Sequence, residues 1–395
     1  MHARPTGWIR TTSLILVASL ALLLLISILH RHFQPPLGNW KTRSTGASTT
    51  ESRMWTRTPY VAIDEIKPKV STSPEKIIRV GLQIENIYNL SLKDRAFNVE
   101  GWYWLKWPES VQTIIKENNI PQERIIEFSN QVNSDSLLIE LDQPEPEKLN
   151  DGTYWQIFRF SGSFYIEDLY LRAFPFDNLH LPISMQLGPD YLSCYPGNRY
   201  GCFSLAFDQD SSASTLGQHA SINGYTLIGT ESREYLHQYA SNFGHGDASR
   251  FSAVQTRIVY RTDFSASFWF YIFPLLILIG ISIVSPSLPA ALGDVRLAIP
   301  TTILLTLIFL QMGYKAELPA LDYVSYLDWV YIYAYIVAAL LFLLFCWSTN
   351  AHTKACVNGQ ETQVLRRIQR VDGMVQAIAV GGLLLVLGSG LLFQP

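Results

Sequence analysis

Charge is scarce in this sequence: Asp, Glu, Lys and Arg make up 16% of its 395 residues, and the net charge is −3. No stretch gathers Lys and Arg into the basic face that nucleic-acid binding requires, so we expect no nucleic-acid partner. The sequence also lacks H-E-x-x-H, G-x-S-x-G and a phosphate-binding glycine loop, and its eight histidines are scattered. We therefore expect neither an enzyme nor a resident cofactor or metal.

Cysteine is rare as well, with four in the chain. Cys194 and Cys202 flank the turn-rich segment CYPGNRYGC, whose spacing is compatible with a disulfide, with two free thiols or, less readily, with a metal site. No second pair of Cys or His with ligand spacing accompanies them. Cys346 lies in an apolar run and is expected only to pack there, and Cys356 receives no assignment.

Apolar and aromatic residues are abundant, at 48% and 13% of the chain. Five apolar runs approach the roughly 20 residues that a membrane span needs. The first, residues 11–29, is either a signal peptide or an uncleaved anchor, and its length and the lack of a small-residue cleavage site favour the anchor. The other four lie near the C-terminus, at residues 264–284, 297–314, 326–347 and 375–393.

Two different segments separate the first apolar run from the others. Residues 34–75 are rich in Pro, Ser, Thr, Lys and Arg without a sustained period, which predicts a flexible linker. Residues 76–262 contain short runs of alternating apolar and polar residues, such as FNVEGWYWLKW and SAVQTRIVYR. About ten such runs predict an antiparallel β-sandwich, with a helical or irregular insertion at SVQTIIKENNIPQERIIEF.

The distribution of Lys and Arg predicts the membrane topology. A polar segment at about residues 348–373, between the last two spans, has a positive excess and is expected in the cytoplasm. Counting spans from it puts the sandwich outside, and Arg4 and Arg10 place the start of the N-terminal segment (residues 1–33) inside. We therefore expect an all-β extracellular or periplasmic sandwich, an all-α four-helix transmembrane bundle at residues 263–395 and an extra N-terminal membrane segment. Such a protein would cross the plasma membrane or the bacterial inner membrane several times.

The second C-terminal span, within GDVRLAIPTTILLTLIFLQMGYKAELP, carries an unusual helical face. Residues three or four apart share a face of a helix. This face starts with an acid, passes a small residue and a hydroxyl, and becomes bulky and apolar; its members are Asp294, Ala298, Thr302, Leu305, Phe309 and Met312. A pore-lining helix would have such a gradation, with charge at one mouth and an apolar ring that closes by dewetting. The alternative is a buried helix whose threonines bond to their own carbonyls.

The beginning of this helix is open to two interpretations. Pro300 either lies inside the helix, where it deprives the Arg296 carbonyl of its partner, or lies in the first turn of a helix that begins near Ile299. In the second case Asp294 and Arg296 would precede the helix. An Arg296–Asp294 pair would in addition weaken the charge of an acidic ring. One helix cannot enclose a pore, so this interpretation predicts a ring of several copies.

Four ordered motifs carry a resemblance to a known family. They are LRAFPFDNLHLPISMQL with its Phe174-Pro175-Phe176-Asp177 core, Arg261 before the first span with Pro274 inside it, Arg296 and the Leu305-Thr306 pair in the second span, and Leu318-Pro319 after it. Over about residues 77–393 the chain resembles the bacterial pentameric ligand-gated ion channels of the Cys-loop receptor superfamily. It departs from them in its extra N-terminal span, in Pro300, and in Glu167 and Leu181, which stand where the family's cysteines would be. Bacterial members commonly lack that disulfide.

The resemblance implies a homo-oligomeric receptor of five subunits in the lipid bilayer. An unknown small molecule or a proton would bind the sandwich and open a pore for inorganic ions. The signal would pass where Phe174, Pro175, Phe176 and Asp177 meet Leu318 and Pro319, with Arg261 as the partner of Asp177. Leu305 would form the gate, with Phe309 above it, and a ring of Asp294 would favour cations.

The resemblance also implies ligand sites between neighbouring sandwiches. The aromatic candidates are Trp102, Trp104, Tyr191, Tyr235, Tyr239 and Phe243. Aromatic cages suit ammonium ligands, although alternating aromatic residues are equally typical of a sandwich core. The competing functional interpretation is a membrane-tethered, non-conducting receptor or binding module whose spans only anchor it.

Overall fold

The computed structural model describes residues 64–68, 73–188, 190–194, 198–208, 214–241, 250–358 and 361–389. The expected N-terminal membrane segment, most of the expected linker and Phe243 lie outside these residues. The described residues divide into two compact units, one built on strands and one on four long helices. Tyr170–Asn178 belongs to the helical unit, although strands precede and follow it in the sequence.

The β unit contains twelve strands and one short α-helix in the part of the chain that is described. They are β1 (Glu65–Pro68), β2 (Ile77–Ser91), β3 (Ala96–Trp107), α1 (Glu109–Glu117), β4 (Ile126–Phe128), β5 (Leu138–Leu141), β6 (Glu147–Lys148), β7 (Tyr154–Tyr165), β8 (Asn178–Leu187), β9 (Ser204–Phe207), β10 (Ser214–His219), β11 (Tyr225–Gln238) and β12 (Arg250–Thr262). The insertion predicted after β3 forms α1 and the short strand β4.

The strands form two sheets. Five strands have the order β1-β11-β12-β8-β4, and seven form the order β10-β2-β3-β7-β5, with β6 on β7 and β9 on β2. β9 and β10 pair with β2 in parallel, which corrects the expectation of a purely antiparallel sandwich. Parallel neighbours need a long connection, and the excursion of the chain through β3 to β8 supplies it before β9 returns to β2.

An aromatic cluster fills the space between the two sheets. The side chains of β3 alternate strictly between buried and half-buried, as its sequence predicts. The Tyr103 ring of β3 stacks on Phe158 of β7, with 4.6 Å between centroids. Phe128 of β4, from the other sheet, stacks on Phe160 with centroids 5.1 Å apart. These contacts join the two sheets into the sandwich-like arrangement that the sequence predicts.

The helical unit contains four helices of membrane-spanning length. They are α2 (Phe264–Ser287), α3 (Gly293–Ala316), α4 (Tyr326–Asn358) and α5 (Glu361–Ser389). Even the 24-residue helices α2 and α3 extend about 36 Å at 1.5 Å per residue, more than the roughly 30 Å of a hydrocarbon core. Their length and apolar composition indicate a multi-pass membrane protein.

Two details of the helices differ from the simple expectation. α2 widens into a π-helical turn at Phe268–Ile272, next to Pro274, and such a turn accommodates the missing donor of a proline. The polar segment expected at about residues 348–373 is helical in most of its length, because α4 continues to Asn358 and α5 begins at Glu361. Gln, Glu, Lys and Arg are good helix formers, so the end of the apolar run is not the end of the helix.

Candidate functional site

The α3 helix has one buried face and one exposed face. The buried face packs inside the unit and consists of Gly293, Arg296, Pro300, Ile303, Leu307 and Tyr314. The opposite face includes every residue predicted for the graded face, since Asp294, Ala298, Thr302, Leu305, Phe309 and Met312 are all exposed. The large apolar members are more than half exposed, with 55% for Leu305, 63% for Phe309 and 64% for Met312. In the described part of the helical unit, this face is left exposed.

The exposed surface of α3 differs in chemistry from that of the other helices. In the apolar stretches of α2, α4 and α5, the exposed residues are aliphatic, aromatic or Gly, apart from Ser265 at the start of α2 and Cys346. In α3 the exposed face also carries Asp294, Thr301 and Thr302. The two threonine hydroxyls donate to the carbonyls of Leu297 and Ala298 at 2.9 Å. Their hydrogens are therefore used within the helix, while the oxygen lone pairs stay accessible.

The structure resolves the beginning of this helix. α3 runs from Gly293 to Ala316 with Pro300 inside it, so Asp294 lies in the first turn and on the exposed face. The Arg296–Asp294 pair that the sequence leaves open is not formed among the described residues. Arg296 is fully buried on the opposite face and its Nη2 donates to Asp372 Oδ2 of α5 at 2.8 Å. In a helix, residues two apart point in different directions, which is why the neighbours in sequence do not pair.

The loop Tyr170–Asn178 packs its two phenylalanines into the helical unit. The Phe174 ring contacts Tyr271 of α2 edge-on at 5.0 Å and lies parallel to Tyr314 of α3 at 6.3 Å, both measured between centroids. The Phe176 ring stacks on Phe264 at the start of α2, with centroids 5.1 Å apart. The FPFD core therefore contacts the same helix, α3, whose other end carries Asp294.

Backbone hydrogen bonds fix this loop to the start of α4. The first N–H groups of a helix have no intrahelical partner. Those of Tyr326 and Leu327 donate to the carbonyls of Arg172, at 2.8 Å, and of Phe174, at 3.2 Å. The Tyr323 hydroxyl accepts from the N–H of Leu171 at 2.8 Å. The loop thus supplies the acceptors that the helix end lacks.

The contacts between this loop and the start of α4 were not predicted from the sequence. The sequence does, however, contain a helix-start motif at that point. Ser325 and Asp328 form a capping box: the Asp328 N–H donates to Ser325 Oγ at 3.2 Å, and the Ser325 N–H donates to Asp328 Oδ2 at 3.2 Å. The motif S-Y-L-D is readable in the sequence as a helix start. Tyr314 of α3 also donates to the Asp328 carboxylate, so the same acid ties α3 to α4.

Asp177 closes the loop. Its Oδ1 accepts from the Ala173 N–H at 3.0 Å, and its Oδ2 is buried without a hydrogen-bond partner in the described residues. Burial raises the pKa of this carboxyl to about 7. Leu318 is buried and Pro319 half-buried just after α3. Arg261 is exposed and belongs to the β unit, so its pairing with Asp177 stays a prediction.

The raised pKa of Asp177 predicts a pH dependence. An unfolded aspartate loses its proton near pH 4, whereas the folded one keeps it to about pH 7, so this group's contribution to stability falls as the pH rises between these values. We expect Asp177→Asn to flatten that fall in the thermal unfolding midpoint, measured in detergent across this range. Asp322→Asn, at an exposed position of the same unit, should keep the wild-type slope. An identical slope in Asp177→Asn and wild type would contradict the assignment.

Two of the predicted ligand-binding residues lie on the outer face of β3. Trp102 and Trp104 are half-buried, whereas Tyr103 between them is fully buried in the core. The Trp104 Nε1 donates to Asp208 Oδ2 at 3.2 Å, and the Trp102 ring lies 5.8 Å from the guanidinium of Arg159. The core interpretation therefore does not apply to these tryptophans.

The other candidates have varied surroundings. Tyr235 is buried, whereas Tyr239 is half-buried, and its hydroxyl accepts from Gln186 Nε2 at 2.8 Å. The Tyr239 ring lies 4.3 Å from that of His237. Tyr191 is exposed and meets the ring of Tyr200 edge-on at 6.2 Å. Each described contact of these rings goes to a residue outside the predicted set.

The cysteine pair of the β unit is joined. Cys194 and Cys202 form a disulfide with their Cα atoms 4.4 Å apart. The free cysteines in the described residues are Cys346 and Cys356, both exposed.

Comparison with known proteins adds no assignment. A scan against protein families finds no match, and a search of curated proteins finds none either.

Proposed function

We propose that this chain is one subunit of a ligand-gated ion channel, in which several copies form a ring around a pore lined by α3. The observation that carries the proposal is the chemistry of the exposed α3 face, which has an acid and two adjacent threonines, whereas the apolar stretches of the other helices expose apolar groups apart from Ser265 and Cys346. Polar groups facing lipid are costly and rare in membrane helices. Polar groups on a face beside water, by contrast, can hydrogen-bond to that water.

The order of residues along this face matches the tasks of a cation pore. Asp294 would form an acidic ring at one mouth, and the accessible oxygens of Thr302 would accept water or a partly dehydrated cation. Leu305 lies about 16 Å from Asp294 along the helix axis, at 1.5 Å per residue. With Phe309 it would form an apolar constriction. Such a ring closes by excluding water without any side chain filling the pore.

The loop Tyr170–Asn178 offers a route for the signal. It is covalently continuous with the strands β7 and β8, and its Phe174 ring and backbone contact α2, α3 and α4. A ligand that binds one conformation of the sandwich more tightly would shift the loop, and with it the populations of two states of the helices. The proposed two-state element is therefore the set of contacts between this loop and the start of α4.

Several parts of the proposal rest on the resemblance to bacterial pentameric ligand-gated channels. These are the five copies and the binding of an unknown small molecule or proton between sandwiches. The position of the β unit outside the cell or in the periplasm rests on the excess of Lys and Arg near the junction of α4 and α5.

Electrophysiology tests the proposal directly. The full chain is expressed in oocytes or reconstituted in proteoliposomes, and currents are recorded against a ligand panel and a pH series. We expect ligand- or proton-dependent cation currents. The internally bonded threonines also fit a non-conducting membrane receptor. Silence of a chain shown to be at the surface and oligomeric would favour that second function.

Charge selectivity gives a residue-level prediction. We expect Asp294→Asn to reduce the preference for cations by about fivefold, because a charge interacts with an ion 4 Å away by about 1 kcal/mol in water. The measurement is the reversal potential in asymmetric salt. Asp322→Asn, outside α3, serves as the matched control and should leave it unchanged. A wild-type chain that is selective for chloride would contradict the role of Asp294.

A further inference from the structure

Three potential metal ligands meet where α4 ends and α5 begins. His352 and Cys356 are four residues apart on α4, so they share one helical face. Glu361 is the first residue of α5. The Cys356 Sγ lies 3.9 Å from the imidazole nitrogens of His352, and the His352 Nε2 lies 3.8 Å from Glu361 Oε1. All three ligand atoms fall within 4.8 Å of one another.

These separations approach those of a tetrahedral zinc site. With Zn–S of about 2.3 Å and Zn–N and Zn–O of about 2.0–2.2 Å, tetrahedral angles place the ligand atoms roughly 3.4–3.6 Å apart. The two distances from His352 exceed these values by a few tenths of an ångström, and the third pair of ligand atoms lies within 4.8 Å. Rotation of the exposed Cys356 and Glu361 side chains would bring the three ligand atoms to bonding distance of one ion. A thiolate, an imidazole and a carboxylate together suit Zn²⁺, whereas Mg²⁺ and Ca²⁺ prefer oxygen ligands alone.

The surroundings keep these ligands available. His352 is half-buried, while Cys356 and Glu361 are exposed, so an ion can reach them from water. This end of the helices is the one that the Lys and Arg excess predicts to lie in the cytoplasm. Thiols there stay reduced, which leaves Cys356 free to bind a metal.

We propose that His352, Cys356 and Glu361 bind one Zn²⁺ per chain and that a water molecule completes the coordination. Binding replaces the thiol proton of Cys356 by the metal and releases that proton to solvent. The ion would cross-link the end of α4 to the start of α5. Because α5 carries Asp372, the partner of Arg296 on α3, the metal would restrain a helix that is bonded to the proposed pore helix.

The test uses Co²⁺ as a spectroscopic substitute for Zn²⁺, with the full chain in detergent under reducing conditions. We expect a thiolate-to-cobalt charge-transfer band that saturates at one Co²⁺ per chain and disappears when Zn²⁺ is added. Cys356→Ser should abolish the band, whereas Cys346→Ser, at the other exposed free cysteine, should leave it intact. His352→Ala and Glu361→Gln should each weaken Co²⁺ binding by more than the roughly 10–100-fold that loss of a supporting group costs.

The outcomes separate this site from the channel proposal. Absence of the band, its persistence in Cys356→Ser or its loss in Cys346→Ser would overturn the metal site, whatever the currents show. All of the substituted residues are at exposed or half-buried positions, and a matched elution profile on size-exclusion chromatography shows that each variant is folded.

Discussion

Replacing Asp372 by alanine is expected to lower the free energy of unfolding by about 3–5 kcal/mol, because it leaves the Arg296 charge buried without a partner. Arg296 is 0% exposed, and its guanidinium also lies 4.3 Å over the Phe345 ring. Removing the carboxylate therefore leaves the buried cation beside the Phe345 ring without its ion-pair partner. The measurement is unfolding of the full chain in mixed micelles with increasing denaturing detergent.

The double variant Arg296→Met with Asp372→Leu provides the decisive comparison. The pair is only partly satisfied, since Arg296 Nε and Nη1 and Asp372 Oδ1 are buried without hydrogen-bond partners in the described part of the chain. Replacing both partners by apolar residues of similar volume is often neutral or stabilising. We expect the double variant to recover most of the lost stability. Arg370→Ala, an exposed charge on the same helix, should change little, and a cost for it equal to that of Asp372→Ala would refute the explanation.

Replacing Leu305 by serine is expected to shift the proposed channel strongly toward its open state. In the proposed ring, the closed state would keep water away from the Leu305 side chains; Leu305 is 55% exposed in the single chain. Burying a leucine side chain contributes about 1.5–3 kcal/mol. Losing that term once would change the ratio of closed to open channels roughly 10–150-fold, and every further subunit adds to it. Spontaneous current, or a lower ligand concentration for half-maximal current, reports the shift.

Leu304 supplies the matched control for this gate. Leu304 precedes Leu305 in the same helix and lies on a different side of α3, where it is half-buried whereas Leu305 is exposed. Leu304→Ser introduces the same chemistry about 100° around the helix and should not raise spontaneous opening. Equal effects of the two substitutions would argue against a gate at Leu305, and so would unchanged currents in a well-expressed Leu305→Ser variant.

The faces of α3 were predictable from the sequence because a helical period assigns each residue a direction. The sequence assigned Asp294 and Met312 to one face of the helix, and both are exposed in the structure. The periodicity could not reveal the partner of Arg296, since Asp372 lies on another helix and pairing over such a separation depends on packing. The sequence suggested the nearest acid, Asp294, and helical geometry points that residue away.

The limits of prediction in the β unit have a similar cause. The alternation of apolar and polar residues in the sequence identified β3 and β7, because side chains of a strand have a period of two. Their burial follows the same alternation. The parallel pairing of β9 with β2 joins segments far apart in the chain, and no local pattern encodes it. The hydrogen bonds between the FPFD loop and the start of α4 were missed for the same reason. Its acceptors are backbone carbonyls of Arg172 and Phe174, which any sequence would provide.

The Arg296–Asp372 pair also has a consequence for how the protein is made. The two residues are 76 positions apart, so α3 leaves the ribosome and enters the membrane well before α5 exists. During that interval the arginine lacks Asp372, and a charge at the edge of the apolar span is left without this partner. Stable insertion of α3 is therefore expected to depend on α5. A chain truncated before α5 should remain with the insertion machinery or be degraded.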